Sequence, residues 1–272
     1  MSKIRQPAVD NYFYPGTKTK LLETLEILTN QQSIKEAVVS VICPHAGYIF
    51  SGATAGMVYS NIIIPETVIL LGPNHQGYGE PFGVSSSEYW RTPLGEIKID
   101  TDIAKDLVSE SRYLEFDDIS HKSEHSLEVQ IPFIQFFNPQ TEIVPISLSG
   151  YIDNPAWVEI GESIAKVIQK YNPIKNVLII ASTDMNHYES QENTEEKDKY
   201  AIETILSLDE NLLIERIAEK NISMCGYGAV IATIVASKEL GAKETSLIEY
   251  TTSGARNKDY SQVVGYAGII IK

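Results

Sequence analysis

The sequence predicts an α/β fold built on a mostly parallel sheet with helices on both faces. Three observations carry this. Apolar runs such as residues 37–43 and 67–71 are continuous rather than alternating, so both faces of those strands must be buried. Such runs alternate along the chain with longer segments of helical periodicity. The 272 residues, 43% of them hydrophobic, are enough for one large core, and no repeat, low-complexity tract or Gly/Ser linker divides them. A single domain over residues 1–272 is therefore expected.

The elements follow in order. Residues 37–43 form a strand, a loop follows, and a helix runs from 52 to about 62. Residues 67–71 are a second strand. Between 82 and 100, short antiparallel strands surround the turn Thr92-Pro93-Leu94-Gly95. Helices are expected at 102–111, 125–137 and 156–171, with strands at 142–148 and 176–182. The polar stretch 189–199 reads as a surface loop leading into a helix at 197–208, and further helices fall at 210–220 and 229–240. Strands at 246–252 and 262–271 close the chain.

Composition excludes several functions. The formal charge is −14, a poor match for nucleic acid or an anionic membrane surface, both of which call for clustered Lys and Arg. No apolar stretch approaches the roughly 20 residues that span a bilayer, and the N-terminus has no apolar signal core. Of the two cysteines, Cys43 lies inside an apolar strand, so no disulfide framework is indicated. A cytoplasmic location is expected.

The histidines carry the chemical information. His45 follows the strand ending at Cys43, and His75 follows the one ending at Leu71 in Gly72-Pro73-Asn74-His75. Asp184 and His187 follow the strand ending at Ser182. Open α/β sheets bind ligands at the C-terminal ends of their strands, so neighbouring strands would bring these groups together. A single loop histidine is ordinarily a surface residue; several in rigid Pro/Gly/Asn-marked turns suggest a site. Imidazoles of this kind suit zinc, copper and non-haem iron.

Cys225 precedes an apolar helix in Cys225-Gly226-Tyr227-Gly228, where helix amides would lower its pKa and favour a ligating or nucleophilic thiolate. A small buried residue at a helix start is the ordinary alternative. In Ser123-Glu124-His125-Ser126-Leu127-Glu128, capping explains the serines and Glu124; His125 is a weaker pocket candidate, and Glu124 could orient a ligating histidine. His121 gives no further signal. Tyr48, Tyr78, Tyr188 and Tyr227 sit close to these groups and are candidate walls for an aromatic or peptide ligand. Arg91 reads as surface. No Walker or GxGxxG pattern is present.

In these segments the chain resembles the Memo family, also called AmmeMemoRadiSam system protein B. The matching stretches are Pro44-His45-Ala46-Gly47-Tyr48 with Ser51-Gly52, Gly72-Pro73-Asn74-His75, and Glu124-His125-Ser126-Leu127-Glu128-Val129-Gln130. Ser182-Thr183-Asp184-Met185-Asn186-His187-Tyr188 and Cys225-Gly226 complete the set. The resemblance implies a three-layer α/β/α sandwich similar to class III extradiol dioxygenases. It implies His45, His75 and Cys225 as metal ligands, Cys225 standing where those enzymes place a carboxylate. His187 would be the acid/base residue beside Asp184. Asn74, Tyr48, His125, Tyr188 and Tyr227 would line the substrate pocket. Iron(II) or copper is implied ahead of zinc, with redox activity, and functional association with radical SAM and AMMECR-like proteins. Two other classes stand beside this one: a metal-free nucleophilic enzyme using Cys225, His187 and Asp184, and a non-catalytic module binding a peptide or small molecule.

Overall fold

The computed structural model describes residues 3–272. The chain begins with β1 (Ile4–Arg5) and α1 (Lys18–Leu28), then β2 (Ser40–Cys43), α2 (Tyr48–Ser60) and β3 (Thr67–Pro73). Next come β4 (Phe82–Val84), the hairpin of β5 (Tyr89–Thr92) and β6 (Gly95–Lys98), α3 (Thr101–Glu110) and β7 (Glu115–Phe116). A single 3-10 turn at Glu128–Gln130 leads into α4 (Ile131–Phe137), followed by β8 (Glu142–Leu148), α5 (Ala156–Tyr171) and β9 (Val177–Ser182). The rest is β10 (His187–Glu189), α6 (Gln191–Leu206), α7 (Glu210–Lys220), α8 (Tyr227–Glu239), β11 (Thr245–Thr252), α9 (Gly254–Asn257) and β12 (Val263–Ile271).

The large sheet is mixed, in the order β10-β12-β2-β9-β3-β8-β4-β7, with β11 also paired to β12. Its centre, β2-β9-β3-β8, is parallel throughout. β12 runs antiparallel to β2, and β4 antiparallel to β8. The hairpin expected around residues 92–95 is present, but it pairs with β1 in a separate three-stranded sheet.

The continuous apolar strands are buried on both faces, as their composition requires. Ile42, Ile69, Leu71, Ile146, Ile179 and Ala181 pack on one side with α3, α5, α6, α7 and α8. The alternate residues Val41, Cys43, Val68, Leu70, Ile143 and Ile180 pack on the other with α1, α2 and α4. The period-two alternation of side chains along each strand thus divides one sheet between two cores.

Three expectations are corrected. The helix expected over residues 125–137 begins only at Ile131. Residues before it are held otherwise: the Glu124 carboxylate turns back to accept the neighbouring amides of His125 and Ser126, and the Ser126 hydroxyl donates across the fold to the Pro73 carbonyl. The polar stretch 189–199 is mostly helix, because Ser190 caps α6 by accepting the Asn193 amide and Glu192 sits in its first turn. Helix α2 starts at Tyr48, directly after the His45 loop. The sequence reading also missed α1, which buries only Leu21 and Leu25.

Candidate metal centre

β2, β9 and β3 are consecutive neighbours and parallel, so His45, Asp184 with His187, and His75 leave the sheet at one edge. The loop carrying His125 packs against them. The His45 and His75 rings lie 5.2 Å apart between centroids, His45 and His125 5.4 Å, and His75 and His125 4.5 Å. One donor atom from each of the three lies within 4.8 Å of the others.

Hydrogen bonds determine which nitrogen each ring presents. The Ser182 hydroxyl donates to the Ser126 carbonyl at 2.6 Å, and accepts from Gln130 Nε2 at 2.8 Å. Its only proton is committed, so at 3.0 Å from His45 Nδ1 it must accept. His45 therefore carries its proton on Nδ1 and presents its Nε2 lone pair to the cleft, beside the Cys225 thiol. Gln130 is itself oriented by the Pro44 carbonyl at 3.0 Å and the Tyr59 hydroxyl at 3.0 Å.

His75 follows the same rule. Its Nδ1 donates to Glu124 Oε1 at 2.8 Å, and its amide donates to Oε2 at 2.6 Å. His125 Nδ1 stands 3.2 Å from the same Oε1. This carboxylate–imidazole pairing is the outer layer of many metal sites. Burial pushes the Glu124 carboxyl up, but the hydrogen bond and charge of His75, with His125 and the Ser126 amide, bring it down to about 2. Burial lowers His125 to about 4 and His45 well below the usual histidine range. Neutral imidazoles with free nitrogens are the form that binds metal.

The three rings face a cleft of about 820 Å³ that is also lined by Phe13, Phe50, Asp184, His187, Cys225 and Tyr266. His187 Nδ1 donates to the Ser223 carbonyl at 2.8 Å, which leaves its Nε2 free as well. Tyr188 lines the cleft from an exposed position and holds a left-handed backbone at φ 60°. Asp184 accepts the His45 and Ala46 amides, bracing the β2 loop, while burial pushes its carboxyl up to about 7.

Cys225 lies beside the triad rather than in the converging set. Its Sγ is 3.3 Å from His45 Nε2 and accepts the Asp184 amide at 3.3 Å. Burial, then the Asp184 charge, pushes the thiol up, so the expected helix-lowered pKa is reversed. Gly226 is required where α8 meets β9: a Cβ there would stand 2.6 Å from the Ser182 carbonyl oxygen.

The remaining candidates fall elsewhere. Tyr48 is buried in the core, donating to the Val129 carbonyl at 2.7 Å. Asn74 and Tyr227 line a smaller hollow of about 290 Å³ on the far side of His75 and Cys225. Asn74 also braces its own turn through the Tyr78 carbonyl and the Gly77 amide. Tyr78 is exposed, as is Arg91, which pairs with Glu96 on the surface. His121 is buried, with Nε2 on the Gly83 carbonyl at 2.9 Å. The sequence reading missed Ser182, Gln130 and Ser223, whose roles depend on partners far along the chain, as well as Phe13 and Phe50.

The donor chemistry fits a transition metal: three imidazoles, two with Nδ1 bonded to a fixed acceptor and the third beside one. No helix among the described residues is long and apolar enough to cross a membrane. Residues 5–270 match the family described as Memo-like protein. A MEMO1 family protein of Methanosarcina barkeri is 41% identical over 271 residues, covering 99% of this chain and 100% of its own. MEMO1 family proteins of Nitrosopumilus maritimus and Sulfurisphaera tokodaii are 40% and 41% identical, each match covering 98% of both chains. The chain belongs to the Memo-like protein family.

Proposed function

We propose that this protein is a metal-dependent redox enzyme of class III extradiol dioxygenase kinship, with an ion held by His45, His75 and His125. The observation that carries the reading is the convergence of three imidazoles, His45 and His75 from the ends of parallel strands and His125 from the loop packed against them. An iron or copper ion there would supply electron transfer and Lewis acidity to a bound molecule. His187 holds or accepts a proton at Nε2, its ring aimed by the Ser223 carbonyl. Phe13, Phe50, Tyr188 and Tyr266 offer a largely aromatic wall to an organic substrate. On this reading His125 takes the ligand position that sequence reasoning gave to Cys225, and the thiol closes the wall beside His45.

Metal analysis of protein purified without oxygen tests the proposal. About one equivalent of iron or copper per chain is expected in the wild type and in Cys225→Ser, with none in His45→Ala/His75→Ala and a large loss in His125→Ala. No metal in the wild type, or an equal amount in the double variant, refutes it.

A further inference from the structure

The N-terminal arm has no part in the reading above, yet it is bonded to the loop that carries Glu124 and His125. β1 anchors the arm to β5, and the Lys3 carbonyl accepts the Glu88 amide at 2.8 Å. Arg5 then turns inward, its side chain only 5% exposed. Its Nε and Nη2 donate to the His121 carbonyl at 3.1 and 3.0 Å, and Nη2 also donates to the Glu124 carbonyl at 2.7 Å. Nη1 pairs with the Glu128 carboxylate, and the guanidinium lies 4.4 Å from the Trp90 ring centroid.

Glu128 completes a clasp. Its fully buried carboxylate accepts the amides of Ala8 and Val9 at 2.8 and 3.1 Å and the Tyr14 hydroxyl at 2.6 Å. The arm is therefore tied to residues 121–128 on both sides of His125. Its far end brings the Phe13 ring to 4.5 Å from the His125 ring, and the Phe13 carbonyl accepts the Tyr48 amide at 2.7 Å. A guanidinium can hold two carbonyls and a carboxylate in one plane; an ammonium has no such fork.

We propose that the arm is a working part of the centre, with Arg5 as a positioning residue that fixes the Glu124–His125 loop and Phe13 as the wall that seats the His125 ring. Arg5 touches no donor atom of the site. It holds the backbone from which Glu124 reaches His75 and from which the His125 ring projects. The inference rests on the metal reading above for one of its two readouts.

Cobalt(II) titration followed by its ligand-field spectrum, together with amide hydrogen exchange, tests the proposal on the full chain. Arg5→Lys keeps the charge opposite Glu128 but loses the fork. It should weaken cobalt binding severalfold, less than the about ten- to hundredfold loss expected for a direct partner of a ligand ring such as Glu124. The amides of His75, His125 and Ser126, all bonded to Glu124, should exchange at least tenfold faster than in the wild type. Ile164→Val, in the core on the far face of the sheet, controls for lost stability and should change neither readout by more than about twofold. Should Arg5→Lys fail to fold, Phe13→Ala removes only the far contact and should still weaken cobalt binding severalfold. Unchanged affinity and unchanged protection in whichever of these folds overturn the proposal. If the wild type binds no cobalt, the metal reading fails, and the exchange rates alone decide whether the arm holds the loop.

Discussion

Replacing Glu124 by Gln tests the electrostatic logic of the centre. The carboxylate accepts from the His75 amide, His75 Nδ1 and the amides of His125 and Ser126, at 2.6 to 2.9 Å. A glutamine keeps the shape but turns one acceptor oxygen into a donor facing N–H groups, and removes the charge. The carboxyl is held at about 2 against its ordinary 4.5, and the residue is only 2% exposed. A folded-state pKa below the unfolded one stabilises the fold above the unfolded value. That stability is lost as the pH falls from 4.5 through about 2. The shift corresponds to about 3 kcal/mol at neutral pH. Glu124→Gln should therefore cost on the order of 2–3 kcal/mol at pH 7, and the stability difference from wild type should shrink toward pH 2. Zinc or cobalt affinity should fall about ten- to a hundredfold, a loss of about 1.4–2.7 kcal/mol. Urea unfolding from pH 7 down to 2.5 and competitive metal titration measure both. A variant as stable as wild type at pH 7, with affinity within twofold, would refute the assigned role of the carboxylate.

Other parts of the structure make separate predictions. Asp198 is buried and raised to about 7 by desolvation, despite accepting the Asn186 amide and the Tyr250 hydroxyl at 2.8 Å each. Its raised pKa favours the fold at low pH, and that contribution drains away as the pH rises from 3.8 through about 7. Asp198→Asn should thus stabilise the protein at pH 8 by a few kcal/mol and flatten this part of the profile (roughly 1.4 kcal/mol per pH unit for one proton); a loss of stability at pH 8 contradicts the burial argument. Gly226→Ala puts a methyl against the Ser182 carbonyl and the Thr183 side chain, so about 1–3 kcal/mol of stability should be lost in denaturant titration. The Cys225 thiol, held neutral by burial and Asp184, should alkylate at pH 7.5 more slowly than a free peptide thiol. Faster labelling would restore the nucleophile reading.

The difference between what was legible in the sequence and what was not follows the range of the interactions. Continuous apolar strands predicted the parallel centre because burial on both faces is a property of each segment alone. The strand-end positions of His45, His75 and His187 were legible for the same reason: each is fixed by its own strand and turn. The helix start expected at 125 was misread because the local pattern of residues 123–128 is that of a capped N-terminus, while the second expectation, Glu124 orienting a histidine, matches its bonds to His75. The structure instead uses Glu124 as an acceptor for His75, 49 positions earlier in the chain, and Arg5 as a donor 119 positions before Glu124. The local pattern offered Glu124 as a partner for some histidine, but neither which histidine nor the Arg5 contact could be read from it. The lowered pKa expected for Cys225 was reversed by the same kind of long-range contact. A helix N-terminus alone would favour a thiolate, yet α8 is docked so closely on β9 that the half-buried sulfur meets Asp184 and His45 at the cleft wall. Desolvation then outweighs the helix amides. His125, on a loop braced from two sides, is left to complete the converging set. An acidic side chain is present at this centre as well, but Glu124 acts through its hydrogen bonds to the His75 ring and to neighbouring amides.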